Sequence, residues 1–180
     1  FPMMLLLILL AKPVFIILYS EKWLSAVPFF QILCIAGLAI CLQSVNSQSI
    51  AAIGKSKAMF IWSFIKQTIG IIFMVVGWYI YGINGLLIGM VMKSWIIYII
   101  NASLVSKYIG YKLWKQLMDI LPVLMISILA FTISYIISYF IGATIYVDAF
   151  IKTIIFAISY IVCSVCFKME SFLIFKDLAT

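Results

Sequence analysis

The chain has 180 residues, 67% of them hydrophobic and 9% charged, with a mean hydropathy of +1.30. That composition excludes a soluble globular domain and reads as an integral membrane protein. All twelve basic residues are lysines and His is absent, so the side chains most used for general-base work and for bidentate phosphate clamps are missing.

Crossing about 30 Å of hydrocarbon takes about 20 apolar residues. Six runs meet that length, at roughly 1–19, 28–50, 59–81, 85–105, 120–142 and 149–167, and the expected fold is an all-α polytopic bundle. Phe1 is not an initiator and no charged stretch precedes the first run, so that run is not read as a signal peptide but as the continuation of a longer protein. The whole chain then forms a single transmembrane region with a short tail, 168–180.

The connections carry the orientation signal. Lys55, Lys57, Lys107, Lys112, Lys115, Lys168 and Lys176 fall on one side, against Lys22 alone on the other. This places the second and fourth connections and the C-terminus in the cytoplasm. The bilayer accounts for the net charge of +7, and no nucleic-acid partner is expected.

Within the runs, the polar residues are informative because hydrocarbon offers them no partner. Lys12 precedes Pro13 in the first run, where a proline removes a backbone bond and can bend a helix at a cavity. The second run turns polar in its last third, with Gln43, Ser44, Asn46, Ser47, Gln48 and Ser49. At 100° per residue Gln43, Asn46 and Ser47 share one side while Ser44 and Gln48 take another, which points to a helix end wrapped by protein or water. Lys66 lies within two turns of the cytoplasmic end of the third run and has the length to snorkel. Lys93 lies roughly 12 Å into the fourth run, close to the middle of the bilayer, and is the sharpest functional candidate.

Other features read as architecture. Gly70 and Gly77 share a face of the third run, and Gly85 and Gly89 form a GxxxG, all four as packing positions. Ser127, Ser134 and Ser138, and then Ser159, Cys163 and Cys166, form narrow small-residue stripes on the last two runs. Tyr111–Asp119 suits a short helix in the cytoplasmic interface, and Asp119 reads as a helix start before Pro122. Asp148 and Lys152 form an i, i+4 pair. The CxxC at Cys163–Cys166 lies inside an apolar helix without His and carries no expected redox or metal role. Gly54-Lys55-Ser56 is a basic turn, since the glycine that a phosphate-binding loop needs is replaced by Ser49. No catalytic set, metal site or cofactor is expected.

Tyr19-Ser20-Glu21-Lys22-Trp23-Leu24-Ser25-Ala26-Val27-Pro28 resembles the G-E-K-W-x-P-A-V-P segment of bacterial polysaccharide-unit flippases. These are the O-antigen and exopolysaccharide transporters of the multidrug/oligosaccharidyl-lipid/polysaccharide exporter (MOP) superfamily. The similarity continues through Phe30–Leu33, Ala52–Ser56, Ile65-Lys66 and Lys115–Pro122. Ser20 stands where the family usually has Gly, Ser25 where it often has Pro, and Lys12 where an acid often precedes the proline.

The resemblance implies the C-terminal part of a two-lobe transporter in the bacterial inner membrane. Such a protein moves a polyprenyl-pyrophosphate-linked oligosaccharide outward by alternating access, for surface polysaccharide biosynthesis. Its partners would be that lipid-linked substrate, membrane lipids, the missing N-terminal lobe and the polysaccharide polymerase machinery. Lys93, Lys12 and Lys66 would attract the pyrophosphate by charge. Gln43, Asn46 and Gln48 would bond sugar hydroxyls. The alternatives are a drug or metabolite exporter of the same superfamily, which would want acids in its cavity, and a membrane polymerase or transferase, which would need a catalytic cluster in a long external loop.

Overall fold

The computed structural model describes residues 1–142 and 144–167, and every regular element among them is helical. Helices are what apolar sequence forms in hydrocarbon, because each backbone N–H and C=O then finds its partner within the segment. The order is α1 (Pro2–Tyr19), a 3₁₀ segment (Glu21–Ala26), α2 (Val27–Ala52), α3 (Ser56–Ile109), α4 (Leu113–Ile141) and α5 (Ile145–Cys166). All five α-helices are long and apolar enough to cross a membrane. The tail expected at 168–180 lies outside the described residues.

α1 begins with Pro2, whose fixed φ suits the first helical position. It ends at Ser20, which adopts φ 71 and ψ 171, a conformation that glycine tolerates and other residues resist.

The 54 residues of α3 are two helical arms folded back on each other. Helical geometry is broken at Tyr81 (φ −133, ψ 19) and Gly82 (φ 58, ψ −136), within a residue of the expected turn at 82–84. The arms then run antiparallel. Gly77 lies against the backbone of Gly85, Gly89 against the carbonyl of Phe73, and Gly70 against the side chain of Lys93. A Cβ at Gly89 would stand 2.5 Å from the Phe73 carbonyl oxygen, so the arms meet backbone to backbone along a glycine seam. This is the close approach that small residues permit.

Two expectations need correcting at the start of α4. The segment 111–119 does not form a separate interfacial helix, and Asp119 does not start one. α4 begins at Leu113 and runs without a break through Pro122. A proline removes its own N–H and crowds the carbonyl four residues before it, yet the apolar residues on both sides favour continuing the helix over exposing further backbone.

The residues divide into two compact units, with the division between Ile120 and Leu121 inside α4. One holds Phe1–Val27 and the described residues from Leu121 onward. Here Leu9 of α1, Ala130 of α4 and Phe156 of α5 form the core, with Leu5, Leu6, Phe131 and Tyr160 around them. The serine stripe of α4 is buried: Ser134 donates to the backbone carbonyl of Lys152 at 2.9 Å, and Ser138 donates to Asp148. The other stripe is less buried, with Cys163 half-buried and Cys166 exposed.

The second unit is Pro28–Ile120. α2 packs on the second arm of α3 through Ala39, Tyr98 and Ala102. Nearer the connections, Ile50, Leu104 and Val105 pack together, covered by Met59 and Trp62 of the first arm.

Candidate functional site

Three helical faces of the second unit converge on one recess of about 370 Å³. α2 contributes Ile40, Gln43 and Ser47, one residue per turn. The first arm of α3 contributes Ser63, Lys66 and Gln67 at i, i+3 and i+4. The second arm contributes Met90, Lys93, Ser94, Ile97 and Asn101, again along a single face. Each set follows the 3.6-residue repeat. Among the described residues the lining holds two ammonium groups, three carboxamides, three hydroxyls and no carboxylate.

Glycine 70 makes room for the central lysine. A Cβ at that position would meet Cε of Lys93 at 2.5 Å, Cδ at 2.8 Å and Nζ at 2.9 Å, so the lysine stem crosses the face of the first arm instead of climbing to a helix end. Lys66 donates from Nζ to Oδ1 of Asn101 at 2.7 Å. Asn101 is almost wholly buried and spends its acceptor on this ammonium, which holds the charge at the recess wall. Gln43 donates from Nε2 to the Ser94 carbonyl at 2.6 Å, and Ser94 donates in turn to the Met90 carbonyl at 2.9 Å. This bond ties α2 to the second arm at the recess.

The other candidates lie elsewhere. Asn46 is buried and donates from Nδ2 to Oε1 of Gln116 at 3.0 Å, while Gln116 donates to the Tyr111 carbonyl at 3.1 Å. Its amide is used inside the bundle, locking the end of α2 to the start of α4. Gln48 is exposed and paired with Ser44 at 3.4 Å, one turn away on the outer face of α2. Lys12 lines a separate cavity of about 270 Å³ in the first unit, together with Pro13, Ile145, Asp148 and Lys152. There Lys152 binds Asp148 at 2.6 Å, so the expected i, i+4 pair is made, and Lys12 faces a carboxylate that already accepts from Lys152 and Ser138.

The recess thus brings together Lys93, Lys66 and Gln43, and leaves out Asn46, Gln48 and Lys12. It adds Asn101, Gln67, Ser63, Ser94 and Ser47. The signal for Asn101 was its place eight residues after Lys93, two turns along the same face, where an amide in an apolar run has no lipid partner.

Outside the helical spans, the Tyr111 hydroxyl donates to Asp119. That hydrogen bond pushes the phenol up to about 12, with smaller contributions from burial and from the negative charge of Asp119. The phenol therefore stays protonated, and the link closes the α3–α4 connection throughout the neutral range.

Comparison with family models, curated protein sequences and solved structures returned no match for this chain.

Proposed function

We propose that this chain is part of a transporter that moves a polyprenyl-pyrophosphate-linked oligosaccharide across the bacterial inner membrane by alternating access, with the recess of the second unit receiving the pyrophosphate. The supporting observation is the chemistry of the lining: Lys66 and Lys93, amides and hydroxyls, without an acid. At an effective dielectric of about 20, an anionic oxygen 4 Å from an ammonium gains about 4 kcal/mol, and a doubly charged group between two lysines gains more. Gln43, Gln67 and the serines supply neutral donors and acceptors suited to sugar hydroxyls. The resemblance of Tyr19–Pro28 and Lys115–Pro122 to polysaccharide-unit flippases supplies the substrate class. A cation exporter of the same superfamily is less well served, because no carboxylate stands in this lining among the described residues.

In this reading α3 crosses the membrane twice and the chain six times, with the lysine-rich connections in the cytoplasm. The test is a strain whose surface polysaccharide depends on the full-length protein, carrying Lys93→Ala, Lys66→Ala or both. The expected result is inner-leaflet accumulation of lipid-linked units and loss of surface polysaccharide, with the protein inserted at normal level. Normal export by the double variant would refute the proposal.

A further inference from the structure

The second unit carries seven lysines against one acid, Asp119. Two of those lysines are in the recess. The other five, Lys55, Lys57, Lys107, Lys112 and Lys115, are all exposed and sit at the connections that join α2 to α3 and α3 to α4.

Those two connections meet. Nζ of Lys55 stands 6.0 Å from the centre of the Tyr108 ring and Nζ of Lys107 stands 5.9 Å from the same ring. An aromatic face attracts an ammonium at this range, but two ammoniums gathered on one ring repel each other. The only acid of the unit does not relieve them, since among the described residues Asp119 forms no ion pair with either lysine. A lysine bias in loops explains why the charges lie on one side; it does not require two of them to share a ring.

Exposed apolar side chains follow the α3–α4 connection in the chain. Trp114 and Met118 are more than half exposed, and Leu117 is exposed beside them on the first turns of α4. We infer that this end of the unit binds an anionic phospholipid, with Lys55 and Lys107 on either side of its phosphate and its acyl chains along Trp114, Leu117 and Met118. The paired apolar surface favours a lipid over a free anion, and a clustered set of lysines at a helix end suits an acidic headgroup. This site shares no residue with the recess lining, although Tyr108 lines a small pocket with Ser47, Lys66 and Asn101 of the recess, and it does not depend on what the recess carries.

The full-length protein in a neutral detergent is titrated with fluorescently labelled dioleoylphosphatidylglycerol or dioleoylphosphatidylcholine, and binding is read by anisotropy. The expected result is a preference for phosphatidylglycerol of roughly tenfold that Lys55→Gln with Lys107→Gln abolishes and Lys55→Arg with Lys107→Arg retains. Lys93→Gln should leave the preference intact. If Lys93→Gln removes it, the recess is the binder and the inference fails, while the reading of the recess as an anion site gains. Full preference in the double Gln variant, equal binding of both lipids, or displacement by millimolar inorganic phosphate would each overturn it.

Removal of loop lysines also affects insertion, so variants are compared only as monodisperse protein. The unmodified protein provides an independent check: raising salt should weaken phosphatidylglycerol binding and leave phosphatidylcholine unaffected. Salt-independent binding counts against the site.

Discussion

Adding one methyl group to the glycine seam of α3 should separate the packing of the hairpin from the placement of its charge. In Gly89→Ala the new Cβ would stand 2.5 Å from the Phe73 carbonyl oxygen and 3.1 Å from its carbon. Ordinary contact begins at 3.4 Å, and both groups belong to helical backbone, so the arms must part locally by about 0.9 Å. A gap of that size forfeits a quarter to a half of each facing dispersion contact, and overpacking of this kind costs about 1–3 kcal/mol. Gly70→Ala meets a different neighbour. The three heavy atoms nearest its Cβ all belong to the flexible side chain of Lys93, which can swing aside, so the hairpin should keep its stability while the ammonium leaves its seat. The assay is the thermal midpoint of the full-length protein in detergent, paired with export of surface polysaccharide. Gly89→Ala should lower the midpoint, and Gly70→Ala should leave it within error while reducing export. Equal midpoints for wild type and Gly89→Ala would refute the close-packed seam. A fully active Gly70→Ala would refute the role given to the Lys93 stem.

Three further outcomes follow from single residues. Ser20→Gly should stabilise the protein by about 1–3 kcal/mol, since serine at φ 71 and ψ 171 carries backbone strain that glycine does not; an unchanged or lower thermal midpoint contradicts this. The Tyr98 hydroxyl is buried without a hydrogen-bond partner among the described residues, so Tyr98→Phe should be neutral or stabilising by about 1 kcal/mol, and a clear loss in chemical denaturation would show that the hydroxyl has a partner. Because the Tyr111 phenol is raised from 10.0 to about 12, its contribution to stability is fully present below pH 10 and lost as pH rises through 12. Difference absorbance against Tyr111→Phe should therefore show the phenol ionising near 12, and near 10 when Asp119→Asn is added.

The helices were legible in the sequence because apolar length alone specifies them, and the reversal at Gly82 was legible as a Gly-Ile-Asn interruption between two apolar runs. The start of α4 was not. Tyr111–Asp119 mixes lysines with apolar residues in a pattern that an interfacial helix and a helix end share, and the choice depends on Gln116 reaching Asn46. That tertiary bond also explains why Asn46 looks like a ligand in the sequence: its amide needs a partner, and the one it finds lies 70 residues away. Lys93 is legible from its depth in an apolar run, and Lys66 from its place within two turns of a helix end. Their convergence required the register of the two arms, which depends on backbone contacts at Gly77, Gly85 and Gly89 that spacing alone does not determine. Asn101 was overlooked because a single amide near the end of an apolar run looks like a boundary residue until Lys66 is seen to bond it.

The glycine seam has a mechanical meaning. Lys66 and Lys93 ride on opposite arms of one stiff lever, closed at the turn by Gly82 and pressed together along its length. The spacing of the two backbone positions is then set by the hairpin itself, while the flexible stem of Lys93 lets its ammonium adjust. α2 is held to the second arm by the bond from Gln43 to the Ser94 carbonyl and by the packing of Ala39 with Tyr98 and Ala102. A cargo bearing two negative charges would meet two lysines with adjustable reach on one fixed frame.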